Sequence, residues 1–250
     1  MRSLVLVNAL ALPLPAFGAS DRAVIVGSNQ AGPGQVPLQW ADADAERMRA
    51  VLTEIGGFRP EDVEVLRDPD ARTRFGSIDR AADDLGAAGD QPTRFVFYYS
   101  GHARSRSLSL GADELPIELL DERLESVPAR QSLAVLDACQ AGEPGSPKGV
   151  MAEAAFSFVS VAGLSTEGTA VVASSTANEL SQESERLGGS MFTHHWISAL
   201  RGAADQDRDG AVTLDEAYDY AYDRTLVETA ATAIGPQHPT LRIDLRGHGD

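Results

Sequence analysis

The chain has 250 residues, 43% of them hydrophobic, which suits one large globular domain or at most two small ones. Lys and Arg total 21 against 37 Asp and Glu, a formal charge of -16. That balance argues against nucleic-acid binding and against docking on anionic lipid; an acidic field would draw in cationic substrates or metal cations, but charge alone is read first as solubility.

In chain order, the first 19 residues differ from the rest. Arg2 is followed by the apolar run Leu4 to Pro15 and by the small-x-small pattern Ala16-Phe17-Gly18. The expectation is a secretory signal peptide over residues 1–19, hence a secreted or periplasmic protein. The run is too short to span a bilayer, and no other stretch is long enough, so no membrane span is expected. Ala23 to Gly27 reads as a buried strand and Gln30 to Val36 as a loop. Asp42 to Ile55 has apolar residues at helical spacing and stops at Gly56-Gly57. Strands follow at Val63 to Leu66 and Arg94 to Tyr99, with a helix between them at Ile78 to Leu85. A small strand is expected at Leu108 to Leu110, beside the strand Arg94 to Tyr99, and a short helix at Leu115 to Leu124. Further strands are expected at Leu133 to Leu136 and Thr169 to Ala173, then helices at Met191 to Leu200 and Leu214 to Leu226, and a closing strand at Leu241 to Leu245. Alternating strands and helices predict an α/β protein, a three-layer α/β/α sandwich with a mostly parallel central sheet, over residues 20–250.

In such sheets the chemistry sits beyond the carboxyl ends of the strands. His102 follows one strand and Cys139 another. Cys139 is the sole cysteine, so disulfides within the chain are excluded. A lone thiol is more often an inert buried group than a nucleophile, and context must decide. An imidazole beside a thiol can take its proton and later return it to a leaving amine. Gly101 lets the chain turn and leaves room for substrate. The N–H groups of Gly101 and Cys139 are the candidate oxyanion donors. Ala138, Ala141 and Gly142 allow a peptide to approach closely.

The segments Ser100-Gly101-His102 and Asp137-Ala138-Cys139-Gln140-Ala141-Gly142 resemble the motifs of the caspase-like cysteine peptidases, the bacterial metacaspase-related branch most closely. The resemblance runs from about Arg22 to Asp244 and includes Ala173-Ser174-Ser175, Glu183 and Phe192-Thr193. It implies His102 and Cys139 as a catalytic dyad acting through a thioester on peptide or protein substrates. Metacaspase-like relatives use acidic pocket residues to prefer Arg or Lys before the scissile bond. Asp137 matches the acidic position, and a carboxylate meeting a guanidinium is a strong bidentate pair. Three departures stand out. Ala103 replaces the usual glycine after the histidine, Ala141 replaces a common serine, and the 37-residue gap from His102 to Cys139 is shorter than the family's, which is about 50. No third catalytic residue is evident. The segments 141–153 and 180–190 are expected to border the cleft, and Lys148 and Arg186 within them suit self-cleavage by an enzyme of basic preference.

Asp205-Gln206-Asp207-Arg208-Asp209-Gly210, five further residues and Glu216 fit the EF-hand loop pattern. Asp205, Asp207, Asp209, the Ala211 carbonyl, Thr213 and Glu216 are the candidate Ca2+ ligands over residues 205–216. A single loop suggests structural calcium rather than a sensor. No organic cofactor is expected, and zinc is disfavoured because His194-His195 lack a ligand spacing. Two other functions compete with hydrolysis: a calcium-stabilised binding module on a peptidase scaffold, and a peptide ligase or transpeptidase using the same dyad. The sequence leaves the oligomeric state open.

Overall fold

A computed structural model of the chain describes residues 21–32, 35–89, 91, 93–104, 107–110, 113–138, 168–176 and 179–245. The expected signal segment 1–19 lies outside them, as do Cys139, Ala141, Gly142 and Lys148. The elements in order are β1 (Arg22–Gly27), α1 (Ala41–Glu54), β2 (Val63–Arg67), α2 (Ala71–Gly86), β3 (Arg94–Ser100), β4 (Ala103–Arg104), β5 (Ser107–Leu110), β6 (Asp113–Pro116), α3 (Ile117–Ser126), β7 (Gln131–Asp137), β8 (Gly168–Ala173), β9 (Glu183–Ser184), β10 (Gly189–Ser190), α4 (Met191–Ser198), α5 (Leu214–Thr229) and β11 (Thr240–Leu245). A π-helical turn, Ala199–Ala203, continues α4.

Among the described residues the main sheet has six strands in the order β11-β8-β7-β3-β1-β2. All neighbours are parallel except β11, which pairs antiparallel with β8 at one edge. The expected sandwich is present. Every residue of β3 and of β7 is buried, because both faces of these central strands are covered. The side chains alternate between two cores. Val96 and Tyr98 of β3 join α1, α4 and α5 on one face. Phe95, Phe97 and Tyr99 join α2, α3 and the small sheet β4-β5-β6 on the other.

Three local readings of the sequence differ from the structure. Helix α2 starts at Ala71 rather than Ile78, because the Asp70 side chain accepts from the Thr73 N–H and caps a polar first turn. Leu115 lies on β6, and α3 begins after Pro116, whose fixed φ suits a helix start. The expected strand at Leu108 to Leu110 is the middle of a three-stranded antiparallel sheet. Among the described residues no helix is long and apolar enough to cross a membrane.

Candidate active site

The register between β3 and β7 fixes the site. Ser100 and Asp137, the last residues of the two parallel strands, are direct partners. His102 is two residues past Ser100, and Cys139 is two residues past Asp137. The two chains therefore leave the same sheet edge in step, although Cys139 itself lies outside the described residues.

His102 is held from several sides. Its carbonyl accepts hydrogen bonds from the Tyr99 hydroxyl at 2.7 Å and the Ser109 N–H at 2.8 Å. Its Nε2 lies 2.8 Å from the Val36 carbonyl oxygen. A carbonyl only accepts, so Nε2 is the protonated nitrogen and Nδ1 is left as the ring's proton acceptor. This Val36 carbonyl supplies the orienting contact for which the sequence offered no side chain. Its only sequence signal was a loop rich in Gly and Pro after β1, at the carboxyl edge of the sheet.

Gly101 has a different reason to be glycine from the one its sequence context suggests. It is not among the positive-φ residues. A Cβ at Gly101 would lie 2.4 Å from the Tyr99 hydroxyl oxygen, so the missing side chain makes room for the group that fixes His102. The oxyanion role expected of Gly101 also needs correction. Its N–H donates to the Asp137 carbonyl at 3.1 Å, extending the β3–β7 ladder, and that donor is engaged. The next suitable donor is Ala103. Because the Ser109 N–H bonds the His102 carbonyl, Ala103–Leu108 is a non-hydrogen-bonded pair, and the Ala103 N–H points away from β5 at the edge of the small sheet.

On the β7 side, the residue before Cys139 is anchored by the Ser174-Ser175 pair. The Ala138 N–H donates to Ser174 Oγ at 3.2 Å, and Ser175 Oγ donates to the Ala138 carbonyl at 3.3 Å. Both serines were visible as a motif, but their role was not.

Asp137 is buried at 3% exposure yet lines a cleft of about 300 Å³ together with His102, Ala103, Ser181 and Glu183. Its two carboxylate oxygens accept from Ser181 Oγ at 2.6 Å and from Thr193 Oγ1 at 2.5 Å. Thr193 is braced in turn by the Tyr98 hydroxyl at 2.7 Å. Glu183 accepts from the N–H groups of Trp40 at 2.9 Å and Gln39 at 3.1 Å, tying this wall of the cleft to the start of α1. No Lys or Arg is among the described residues that line the cleft. Asp44 stands behind it. Its carboxylate accepts from the Ser190 N–H at 2.8 Å and pairs with Arg47 at 2.9 Å. Burial, and then the Asp137 charge, raise its pKa to about 7. The sequence did not single out Asp44, which reads as one more acid in the first turn of an amphipathic helix.

The calcium-loop residues also come together. Carboxylate oxygens of Asp205, Asp207 and Asp209 lie within 4.8 Å of one another. Arg208 at φ 63° and Gly210 at φ 86° provide the turns. Asp205 Oδ1 is buried without a hydrogen-bond partner. Glu216 faces the loop, with Oε1 accepting from the Gln206 N–H at 3.3 Å and Oε2 from the Thr213 N–H at 2.9 Å. Arg186 lies between β9 and β10 and pairs with Glu228.

The fold resembles solved caspases. Caspase-1 from Spodoptera frugiperda is 14% identical, with a TM-score of 0.63 over 90% of this chain and 87% of that one. The structure titled pro-sf-caspase-1 is 13% identical, with a TM-score of 0.61 over 90% and 88%. No curated protein matches the chain.

The raised pKa of Asp44 carries a prediction about stability. Its folded pKa exceeds the unfolded value, so its contribution is full below about pH 4 and is lost as pH rises to about 7. Chemical denaturation across this window should show Asp44→Asn losing less stability than wild type, by on the order of 3 kcal/mol. Parallel curves for the two proteins would contradict the assignment.

The caspase domain family matches residues 20–241, and the chain belongs to that family, a family of cysteine peptidases.

Proposed function

We propose that the protein is an exported cysteine endopeptidase that cuts after Arg or Lys through a Cys139 thioester. The observation that carries this reading is the pairing of Ser100 with Asp137, which brings the ends of the strands that precede His102 and Cys139 together at one sheet edge, beside a cleft walled by carboxylates. His102 Nδ1 takes the thiol proton, and the thiolate attacks the scissile carbonyl. The N–H groups of Ala103 and Cys139 would donate to the resulting oxyanion. The tetrahedral species collapses with cleavage of the C–N bond, and the leaving amine takes its proton from His102. Water, deprotonated by His102, then hydrolyses the thioester and frees the thiol. Asp137, with both oxygens already oriented by Ser181 and Thr193, receives the substrate's cationic side chain. Glu183 adds negative potential within the cleft, and Asp44 adds it from behind when ionised.

Fluorogenic peptides that differ only in the residue before the cleaved bond test this. Arg and Lys peptides should be cut and the Asp peptide left intact. Cys139→Ala and His102→Ala should lose at least about 100-fold in kcat/KM, and Asp137→Asn should lose mainly through a higher KM. Preference for Asp would remove the role given to Asp137. No turnover of any peptide would favour a binding module on this scaffold.

Calcium is the second part of the proposal. Asp205, Asp207, Asp209, Thr213, Glu216 and the Ala211 carbonyl would hold one Ca2+, which would supply the positive charge that three converging carboxylates and the unpartnered Asp205 oxygen lack. The loop joins α4 and its π-helical turn to α5, so the ion's contribution is to hold two helices of one layer in place. Ca2+ at 100-fold over its dissociation constant should stabilise the fold by about 2.7 kcal/mol. Thermal melts with Ca2+ and with chelator should differ for wild type and coincide for Asp207→Ala. Coincident melts for wild type would remove calcium from the account.

A further inference from the structure

Helix α2 turns a stripe at helical spacing toward the sheet: Ile78, Ala81 and Leu85, all buried in the layer that holds Phe95, Phe97 and Tyr99. Arg74 stands one turn ahead of Ile78 on that stripe, where an apolar residue is the ordinary choice. It is 0% exposed, and none of its three guanidinium nitrogens has a hydrogen-bond partner. The Phe75 ring, 5.8 Å from the guanidinium carbon, is a weak substitute for lost water. Asp70 and Asp113 are exposed, and neither pairs with it among the described residues. A buried cation without a partner is costly, and an apolar side chain of similar volume is commonly more stable in its place. Burial lowers the Arg74 pKa to about 10, so the group is still charged at neutral pH.

The place of Arg74 in the fold decides what its charge faces. Strands β2 and β3 both run parallel to β1, so their carboxyl ends share one edge, and α2 starts just past the end of β2. The first turns of α2 are therefore level with the end of β3, where Tyr99 is the last side chain directed into this layer. Among the groups around Arg74, Tyr99 acts on it more strongly than Asp113 or Asp70 does. The Tyr99 hydroxyl has one proton and two carbonyl acceptors, His102 at 2.7 Å and Ser109 at 2.6 Å. Whichever carbonyl takes the proton, the other brings its lone pairs against those of the phenol oxygen. Three partly negative oxygens thus crowd together at the turn that carries His102. A sealed positive charge nearby favours that crowding, and in a low-dielectric core it acts without a hydrogen bond.

We propose that Arg74 is a positioning residue for His102: its buried charge holds the Tyr99 hydroxyl between the His102 and Ser109 carbonyls and so fixes the turn that carries the imidazole. Its role depends on the one proposed above for His102. It explains a cation kept at a core position against the stability of the fold.

The test uses the full-length enzyme and a fluorogenic Arg peptide, with rates taken per folded molecule. Arg74→Met nearly keeps the side-chain volume and removes the charge. It should resist denaturant at least as well as wild type, because a buried unpaired charge is gone. It should nonetheless lose about 10-fold to 100-fold in kcat with KM unchanged. Arg74→Gln repeats the comparison with a second neutral side chain, should Met pack poorly. Arg74→Lys keeps the charge without the planar fork and should retain kcat within a few-fold. Tyr99→Phe removes the hydroxyl and leaves the ring. It should lower kcat to a similar degree, and adding Arg74→Met to it should cost little more, because both changes break one linkage. Lost stability with unchanged kcat per folded molecule, or failure of both neutral variants to fold, would make Arg74 a structural residue and overturn the inference. Additive losses in the double variant would overturn it too, as would an Arg74→Lys enzyme as impaired as Arg74→Met. If the wild type cuts no Arg or Lys peptide, the role of His102 falls first and that of Arg74 with it.

Discussion

The parallel pairing of β3 with β7 is the constraint on which the rest of the site depends. A strand register is quantised, and a slip of one residue turns every side chain to the opposite face. Here Ser100 opposes Asp137, and the ladder runs one bond further, from the Gly101 N–H to the Asp137 carbonyl. That extra bond sets the exit of the β3 chain toward His102. It also commits the Gly101 N–H to structure and leaves oxyanion stabilisation to donors beyond it. Val96 and Tyr98 on one face, and Phe97 and Tyr99 on the other, keep the register by filling two different cores.

Around that pairing, each functional group is positioned by backbone or hydroxyl contacts rather than by ion pairs. Tyr99 fixes the His102 carbonyl, Val36 orients the ring, and Ser174 and Ser175 hold Ala138. Ser181 and Thr193 hold the Asp137 carboxylate. The arrangement gives each Asp137 oxygen one hydrogen bond and, among the described residues, no ion-pair partner, which leaves acceptor positions with which it can still gain from a guanidinium. A buried salt bridge at the same place would have used up that capacity.

The fold class and the edge of the sheet that carries the site were legible in the sequence. Phe95–Tyr99 and Leu133–Leu136, the apolar stretches within β3 and β7, have candidate functional residues just past their ends, a pattern that local chemistry alone announces. The rest depended on contacts across large sequence distances. Val36 acts through its carbonyl, which no residue type encodes. Asp44 acts through burial against Ser190, 146 residues away. Gly101 is explained by the Tyr99 hydroxyl, a clash invisible until the turn is built. Arg74 is fully buried with no hydrogen-bond partner for its guanidinium among the described residues, on the first turns of α2, ahead of the helix that the sequence predicts from Ile78. The three carboxylates at 205, 207 and 209 were legible because their spacing is itself the geometry.

The central claim is that His102 activates Cys139, and the single cysteine makes a direct test possible. The rate of iodoacetamide alkylation of Cys139 would be followed by mass spectrometry from pH 4 to 10 in the wild type and in His102→Ala. The account predicts that the wild-type thiol titrates well below the ordinary value of about 8.5 and that the variant returns toward it. Superimposable curves near that value in both proteins would contradict it.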